Sequence, residues 1–242
     1  MKEQVQMPDA RFFDLERTFV QPVELIRSST ALLIIDMQYH DASPDSGFNL
    51  ALDRIDPGCM DYFNERTETV VIPTIRTLLE HFRANEMRVI YLTLGSDYRD
   101  LRDVPLRLRR WIRQVEEESG VADIFWSGNP AFAIRREIAP RDEETVVNKT
   151  TFGAFNGSML EQVLRELGVA SLIVTGISTN CCVETTTRDA ADLGFGCVVV
   201  DEGTADYDAE AHDAALRALY FSFARILGSA EDVVTALEEA DV

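Results

Sequence analysis

Six short apolar runs recur along the chain, each bounded by polar or turn-forming residues. Short apolar runs without polar–apolar alternation are typical of strands that are buried on both faces, as in parallel sheets. The pattern therefore predicts a mostly parallel sheet of about six strands. The predicted strands are 30–35, 88–94, 145–148, 172–174, 197–200 and 224–227.

Segments with helical spacing of apolar residues lie between these runs. The clearest is 69–84, where one helix face carries Val71, Ile75, Leu78 and Phe82. Further helices are predicted after Cys182 and at 158–167, 208–223 and 229–237, with Ser158 and Ser229 as caps. Alternating strands and helices predict an α/β fold, a single-domain, doubly wound, mostly parallel sheet flanked by helices.

Two parts of the chain show no such periodicity. Residues 1–28 are predicted to form an N-terminal arm on the body or on a neighbouring subunit, which leaves 29–242 as one domain. Residues 37–66 contain several Pro and Gly residues and are expected to be a loop.

Three chemically useful residues follow three different predicted strands. Asp36 ends the first apolar run, Lys149 follows the third, and Cys182 lies between the fourth strand and a helix. The carboxyl ends of parallel strands share one edge, where doubly wound sheets bind ligands. A helix amino end beside Cys182 is expected to lower the pKa of its thiol and favour the nucleophilic thiolate.

Each of these residues also has an ordinary structural explanation. Asp36 fits a strand-end cap, and Lys149 fits a surface lysine whose alkyl chain packs on the protein. Cys181 and Cys182 fit a buried pair of small side chains. Their common edge makes a functional role the better interpretation of all three together.

Composition excludes some classes of partner. The 242 residues carry a formal net charge of -19, which argues against nucleic acid or an anionic membrane as the partner. The four cysteines suggest no disulfide framework, and the first residues lack the apolar core of a signal peptide, so a cytoplasmic location is expected.

One segment, 97–118, concentrates positive charge among interleaved acids. A salt-bridged helix or a subunit contact is one interpretation, and a lid that attracts an anionic substrate is the other. Its arginines are Arg99, Arg102, Arg107, Arg109, Arg110 and Arg113.

Several common motifs are absent from the sequence. It contains neither the glycine-rich dinucleotide fingerprint nor the phosphate-binding loop, and no serine-hydrolase elbow. The three histidines are scattered, and no zinc-type spacing is present.

Three motifs together resemble the isochorismatase-like cysteine hydrolase superfamily. They are LLIIDMQ at 32–38, VVNKTTFGAF at 146–155 and VTGISTNCCVETTTRDAADLGF at 174–195. The resemblance covers roughly residues 28–238 and implies the doubly wound fold described above. The third motif is the most specific of the three.

The resemblance implies roles for particular residues. Cys182, which immediately precedes Val183, is the expected nucleophile, whereas Cys181 is interpreted as packing. Asp36 and Lys149 are the expected catalytic partners. A cis peptide between Ile177 and Ser178 is expected, with the backbone N–H groups of Ser178 and Cys182 forming an oxyanion hole. No cofactor or metal is required in this scheme.

The resemblance also narrows the chemistry to a cysteine amidohydrolase that acts on a small amide or ureido compound. The segments after the first and second strands lack the Asp-x-His and additional His of metal-dependent nicotinamidases. A non-catalytic scaffold, or a hydrolase of a vinyl ether or lactam, remains the alternative. A homo-oligomer, either a tetramer or a dimer, is expected. Candidate substrate-binding residues beside the catalytic positions are Gln38, Tyr39, Phe152 and Phe155.

Overall fold

A computed structural model describes residues 22–220 and 222–240. These residues contain one six-stranded sheet of order β3-β2-β1-β4-β5-β6, in which every neighbouring pair is parallel. The predicted fold class is thereby confirmed. The strands are β1 Thr30–Ile35, β2 Arg88–Leu94, β3 Thr145–Lys149, β4 Ser171–Ile177, β5 Gly196–Ala205 and β6 Arg225–Leu227.

Helices cover both faces of the sheet. The predicted strands and helices lie within a few residues of observed ones, except that β5 extends past its predicted end at residue 200 to Ala205. The helices are α1 Tyr39–Ala42, α2 Gly47–Ile55, α3 Asp61–Arg66, α4 Ile72–Ala84, α5 Leu106–Ser119, α6 Leu160–Glu166, α7 Glu184–Asp192, α8 Ala209–Tyr220 and α9 Ala230–Glu239.

The central strand β1 divides the core into two layers. Successive side chains of a strand point to opposite faces, so Leu33 and Ile35 pack in the layer that contains α5, α6, α7 and α8. Leu32 and Ile34 pack in the opposite layer with α4 and α9. Because every residue of β1 is buried, its sequence is a continuous apolar run without alternation.

The segment 37–66 differs from the prediction of a loop. It forms α1, α2 and α3, and the turn formers flank α2 on either side rather than interrupting it. Phe48 and Ala51 on α2 are buried against the sheet. The density of Pro and Gly therefore concealed short helices that pack over the carboxyl edge.

The predicted N-terminal arm lies outside the described residues from 1 to 21. Of its remainder, Leu25 is buried in the layer with α4 and α9, and the Glu24 carbonyl accepts a hydrogen bond from Ser171 Oγ at 2.7 Å. Across the described part of the chain, no helix combines the length and hydropathy needed to cross a bilayer.

A serine is predicted to cap the start of α9 and another the start of α6. Ser229 is the N-cap of α9 and forms a capping box. Its side chain accepts a hydrogen bond from the Asp232 N–H, and Asp232 Oδ2 accepts one from the Ser229 N–H. The prediction of Ser158 as a cap was wrong by one residue, because α6 begins at Leu160 and its N-cap is Met159. Ser158 Oγ nevertheless accepts from the Leu160 N–H at 3.1 Å.

The strand order reverses between β1 and β4. From β1 the chain builds outward through β2 and β3, then returns to place β4 on the other side of β1. Ligands of doubly wound folds bind outside the carboxyl ends of the strands at such a reversal. Asp36 follows β1, and the turn that carries Cys182 follows β4.

Gly176 permits β4 to approach β1 next to this reversal. It pairs in register with Ile35 and has a φ of 111°, and a Cβ added there would press into the Ile35 carbonyl oxygen. Gly176→Ala should therefore lower the free energy of unfolding by at least about 3 kcal/mol, measured by urea denaturation with circular dichroism.

Gly168→Ala is the matched control for this substitution. Gly168 has a φ of 66°, but nothing lies within 4 Å of its added Cβ. Only the backbone conformation is then penalised, by about 1–2 kcal/mol. Equal losses in the two variants would show that the close approach of β4 to β1 is unimportant for stability.

Candidate active site

Asp36 is held in an unusual backbone conformation at the end of β1. Its φ is 55°, in the left-handed region that aspartate tolerates better than most residues. Its N–H donates to the Leu92 carbonyl at 3.0 Å and so remains tied to the sheet. The Asp36 side chain is buried at the carboxyl edge.

Lys149, the last residue of β3, is also buried and reaches Asp36 across the sheet edge. Its Nζ lies 2.7 Å from Asp36 Oδ2 and 3.1 Å from the Thr151 carbonyl oxygen. The same Nζ lies 3.4 Å from Cys182 Sγ. The interpretation of Lys149 as a surface lysine was therefore wrong, since its side chain is fully enclosed.

Cys182 lies in a wide helical turn, Thr179–Val183, that connects β4 to α7. The Ser178 carbonyl accepts hydrogen bonds from the N–H groups of Cys181 and Val183, which fixes the start of this turn. The peptide between Ile177 and Ser178 is cis, as the family resemblance implies. The three residues singled out from separate motifs thus meet at one point.

Burial dominates the electrostatics of this cluster. It raises the pKa of Asp36, and the adjacent Lys149 ammonium only partly offsets that effect. Burial disfavours the charge of Lys149, yet the Asp36 carboxylate and Cys182 raise the pKa of Lys149 above its ordinary value. The resting arrangement is an Asp36–Lys149 ion pair.

The thiol of Cys182 behaves differently from the sequence-based expectation. The neighbouring Cys181 side chain, burial and the Asp36 carboxylate together raise its pKa, and Lys149 acts in the opposite direction without prevailing. The predicted lowering of this pKa was therefore wrong. Cys182 rests as a thiol, so its activation requires a group that removes the proton.

Asp36 has an oxygen available for that proton. Its Oδ2 is occupied by Lys149, whereas its buried Oδ1 accepts no hydrogen bond from a nitrogen or oxygen donor within the described residues. The Cys182 thiol is close enough to stabilise the Asp36 carboxylate. The arrangement can therefore pass a proton from sulfur to Asp36.

A cavity of about 210 Å³ opens onto these groups. Its volume suits a small molecule, and aromatic side chains dominate its wall. Asp36 and Cys182 form part of that wall, while Lys149 lies behind it. The remaining lining residues are Asp41, Phe48, Asn49, Phe63, Leu94, Trp111, Phe125, Phe152, Ile177, Ser178, Asn180, Cys181 and Tyr207.

The four candidate substrate-binding residues have different positions. Phe152 lines the cavity. Gln38 instead joins two segments, as its Nε2 donates to the Phe132 carbonyl and its Oε1 accepts from the Leu94 N–H. The Tyr39 hydroxyl accepts from the Arg136 N–H, and Phe155 packs against the ring of Phe195. Neither Tyr39 nor Phe155 lines the cavity.

Three of the six arginines in the segment 97–118 form ion pairs with described residues. Arg99 pairs with Asp123, Arg102 with the neighbouring Asp100, and Arg113 with Glu116 three residues ahead on α5. These pairs confirm the salt-bridged interpretation for those three arginines. None of the segment's arginines lines the cavity, although Arg107 borders an adjoining cavity of about 230 Å³ that shares Trp111 and Phe152.

A buried polar network supports the turn that carries Cys182. Thr179 Oγ1 lies 2.9 Å from His212 Nδ1, and His212 Nε2 lies 2.9 Å from Asp201 Oδ1. Arg66 Nη2 donates to the same Asp201 oxygen at 2.8 Å. The network holds the turn through residues of α3, β5 and α8, and none of its four members lines the cavity.

Most lining residues were not identified from the sequence. Phe48, Asn49 and Phe63 lie on helices within the segment 37–66, which is predicted to be a loop. The position of their side chains in the cavity wall was therefore not predicted. Tyr207 and Phe125 lie on loops whose return to the carboxyl edge depends on tertiary structure. The helical spacing of Phe48, Ala51 and Leu52 was the one available indication.

Known proteins resemble this chain in sequence along most of its length. RutB, a ureidoacrylate amidohydrolase of Stutzerimonas stutzeri (strain A1501), is 31% identical over 192 residues, 76% of this chain and 73% of the relative. YecD, an uncharacterized isochorismatase family protein of Escherichia coli O157:H7, is 28% identical over 217 residues, 89% of this chain and 100% of the relative.

The fold and the family agree with these similarities. The crystal structure of a cysteine hydrolase from Pseudomonas syringae pv. phaseolicola 1448A has a TM-score of 0.74 at 23% identity, covering 91% of this chain and 99% of that chain. At that identity the likeness concerns the fold. A family model, the isochorismatase domain, matches residues 30–231. The chain therefore belongs to the isochorismatase family.

Proposed function

We propose that the chain is a cysteine amidohydrolase that cleaves a C–N bond of a small amide or ureido compound and releases ammonia. The observation that carries this proposal is the contact of Lys149 Nζ with both Asp36 Oδ2 and Cys182 Sγ beside a small cavity. The amidohydrolase name of the relative RutB supports the same reaction class. Retention of all three residues speaks against a non-catalytic scaffold.

The first step is attack by sulfur. Asp36 Oδ1 accepts the Cys182 thiol proton while Sγ forms a bond to the carbonyl carbon, and the carbonyl π electrons move to oxygen. The Lys149 ammonium stabilises the negative charge of the thiolate as it develops. The backbone N–H groups of Ser178 and Cys182 stabilise the oxyanion, each donor contributing about 3 kcal/mol.

The second step expels the amine. The oxyanion re-forms the C=O bond as the C–N bond breaks, and protonated Asp36 donates its proton to the leaving nitrogen, so that ammonia departs. The product on the enzyme is a thioester of Cys182. Asp36 is again a carboxylate beside Lys149, ready to act as a base.

Water completes the cycle. Asp36 accepts a proton from a water molecule as its oxygen attacks the thioester carbon, and collapse of the second tetrahedral intermediate breaks the C–S bond. The proton on Asp36 returns to the sulfur, which regenerates the thiol. One carboxyl group thus serves as base and acid alternately, and the scheme uses no histidine.

Replacement of Cys182 tests the identity of the nucleophile. Cys182→Ala should lower kcat for ammonia release by at least about 10³-fold, because loss of a nucleophile removes the covalent route. The measurement is a coupled ammonia assay across a panel of primary amides and ureido compounds.

Cys59→Ala is the matched control, since Cys59 is an exposed cysteine before α3 and should leave the rate unchanged. The hydrogen bond with Cys182 lowers the pKa of the partly exposed Cys181 thiol, so iodoacetamide labelling is carried out on a Cys181→Ala protein. There the reagent should modify Cys182 in addition to the exposed Cys59. Full activity in Cys182→Ala, or labelling of Cys59 alone, would contradict the assigned nucleophile.

The raised pKa of Asp36 predicts the acid limb of the rate profile. Asp36 must be ionised to accept the thiol proton, and burial places its pKa above the ordinary value for aspartate. Activity is therefore present above that raised pKa and lost as pH falls through it. A profile of kcat/KM that stays flat down to about pH 4, the ordinary range of an exposed aspartate, would contradict Asp36 as the base.

A further inference from the structure

The cavity wall carries charge of one sign only. Its two charged side chains are the carboxylates of Asp36 and Asp41, and among the described residues none of those on the wall is lysine or arginine. Lys149 is committed to Asp36 behind the wall and balances that charge. The negative charge of Asp41 is therefore the one that a substrate meets.

Asp41 lies on α1 and its charge acts inside the cavity. Burial is the main cause that raises the pKa of Asp36 and of Tyr207, two other residues of the same wall, and the Asp41 carboxylate raises each pKa further. His40 Nε2 donates to the Leu94 carbonyl oxygen at 3.1 Å, because a carbonyl oxygen can only accept. His40 Nδ1 lies 3.3 Å from Asp41 Oδ1 but makes no hydrogen bond among the described residues.

The rest of the wall has the composition of a cation site. Six aromatic side chains surround the space between Asp41 and Cys182, and aromatic rings attract ammonium groups through their negative faces. Asn49 donates its amide Nδ2 to Asn64, which leaves the Asn49 amide oxygen as an acceptor beside the cavity. The six are Phe48, Phe63, Trp111, Phe125, Phe152 and Tyr207.

An acidic substrate fits this environment poorly. In a cavity of about 210 Å³, a carboxylate attached to a small amide remains near Asp41 and next to aromatic rings. Arg107, which could pair with it, is exposed and borders the adjoining cavity beyond Trp111 and Phe152. The carboxylate of such a substrate and the carboxylate of Asp41 would repel each other in a cavity where water is largely excluded.

We propose that the cavity selects a small amide or ureido compound that also carries a positively charged amine, with Asp41 and the aromatic wall binding the ammonium group. This inference rests on the proposed amidohydrolase function and adds the charge of its substrate. The amide end reaches Cys182, and the ammonium end lies against Asp41 on α1 and the rings contributed by α2, α3 and α5.

The charge preference can be measured without turnover. Three methanethiosulfonates of similar size, with a trimethylammonium, a methyl and a sulfonate end, are reacted with a Cys181→Ala protein, and the adduct on Cys182 is followed by mass spectrometry. The rate of each reagent with Cys182 is divided by the rate of the same reagent with 2-mercaptoethanol, which corrects for differences in intrinsic reactivity. We expect the cationic reagent to exceed the anionic one by at least about tenfold. High salt should leave most of this ratio, since screening weakens surface attraction far more than attraction in the cavity.

Asp41→Asn in the same background tests which group is responsible. The ratio of cationic to anionic rate should fall about tenfold, because the amide keeps the shape of the side chain and removes its charge. Asp142→Asn, an exposed aspartate ahead of β3 at the opposite edge of the sheet, is the matched control and should keep the ratio. Circular dichroism establishes that each variant is folded.

Turnover then separates the two proposals. The substrates are 2-aminoethylurea, n-propylurea and ureidoacetate, which differ in the charge of one end, and ammonia release should be fastest for the first. A cation preference in labelling without ammonia release from any amide or urea would overturn the amidohydrolase and retain the cation site. Preference for the anionic reagent and for ureidoacetate, lost in Arg107→Ala, would overturn the cation site and retain the amidohydrolase.

Discussion

The buried ion pair between Asp36 and Lys149 is the interaction on which the site depends. Both side chains are enclosed, and Nζ lies 2.7 Å from Oδ2. Removal of one partner from such a pair leaves an uncompensated charge and typically costs about 3–5 kcal/mol. The pair thus ties β1 to β3 across β2, and the Lys149 ammonium partly offsets the burial that raises the pKa of Asp36.

The sheet topology explains why three distant segments converge. Asp36 and Cys182 follow β1 and β4, the two strands between which the order reverses, and Lys149 reaches them from β3. Gly176 allows β4 to lie against Ile35, the residue before Asp36. This close approach brings together the ends of the two strands that lead to the base and to the nucleophile turn.

The sequence predicted the frame of the molecule and its reactive groups, since both are encoded locally. Continuous apolar runs identify buried strands, and Asp36, Lys149 and Cys182 each lie at or shortly beyond the carboxyl end of one. The cavity wall was not predictable in this way, because Phe48, Trp111 and Tyr207 come from elements whose approach depends on tertiary packing. The pKa of Cys182 was mispredicted for a related reason, as the Cys181 side chain, burial and the Asp36 carboxylate together outweigh Lys149.

The supports of the nucleophile turn lie apart from the wall that meets the substrate. Thr179, His212 and Asp201 support the turn with side chains that do not line the cavity, whereas α1, α2 and α5 contribute Asp41, Phe48, Asn49 and Trp111 to its wall. Substrate recognition and bond cleavage are thus encoded in separate stretches of the chain. Substitutions on three helices can therefore change the substrate specificity of such an enzyme, while the residues that break the bond are retained.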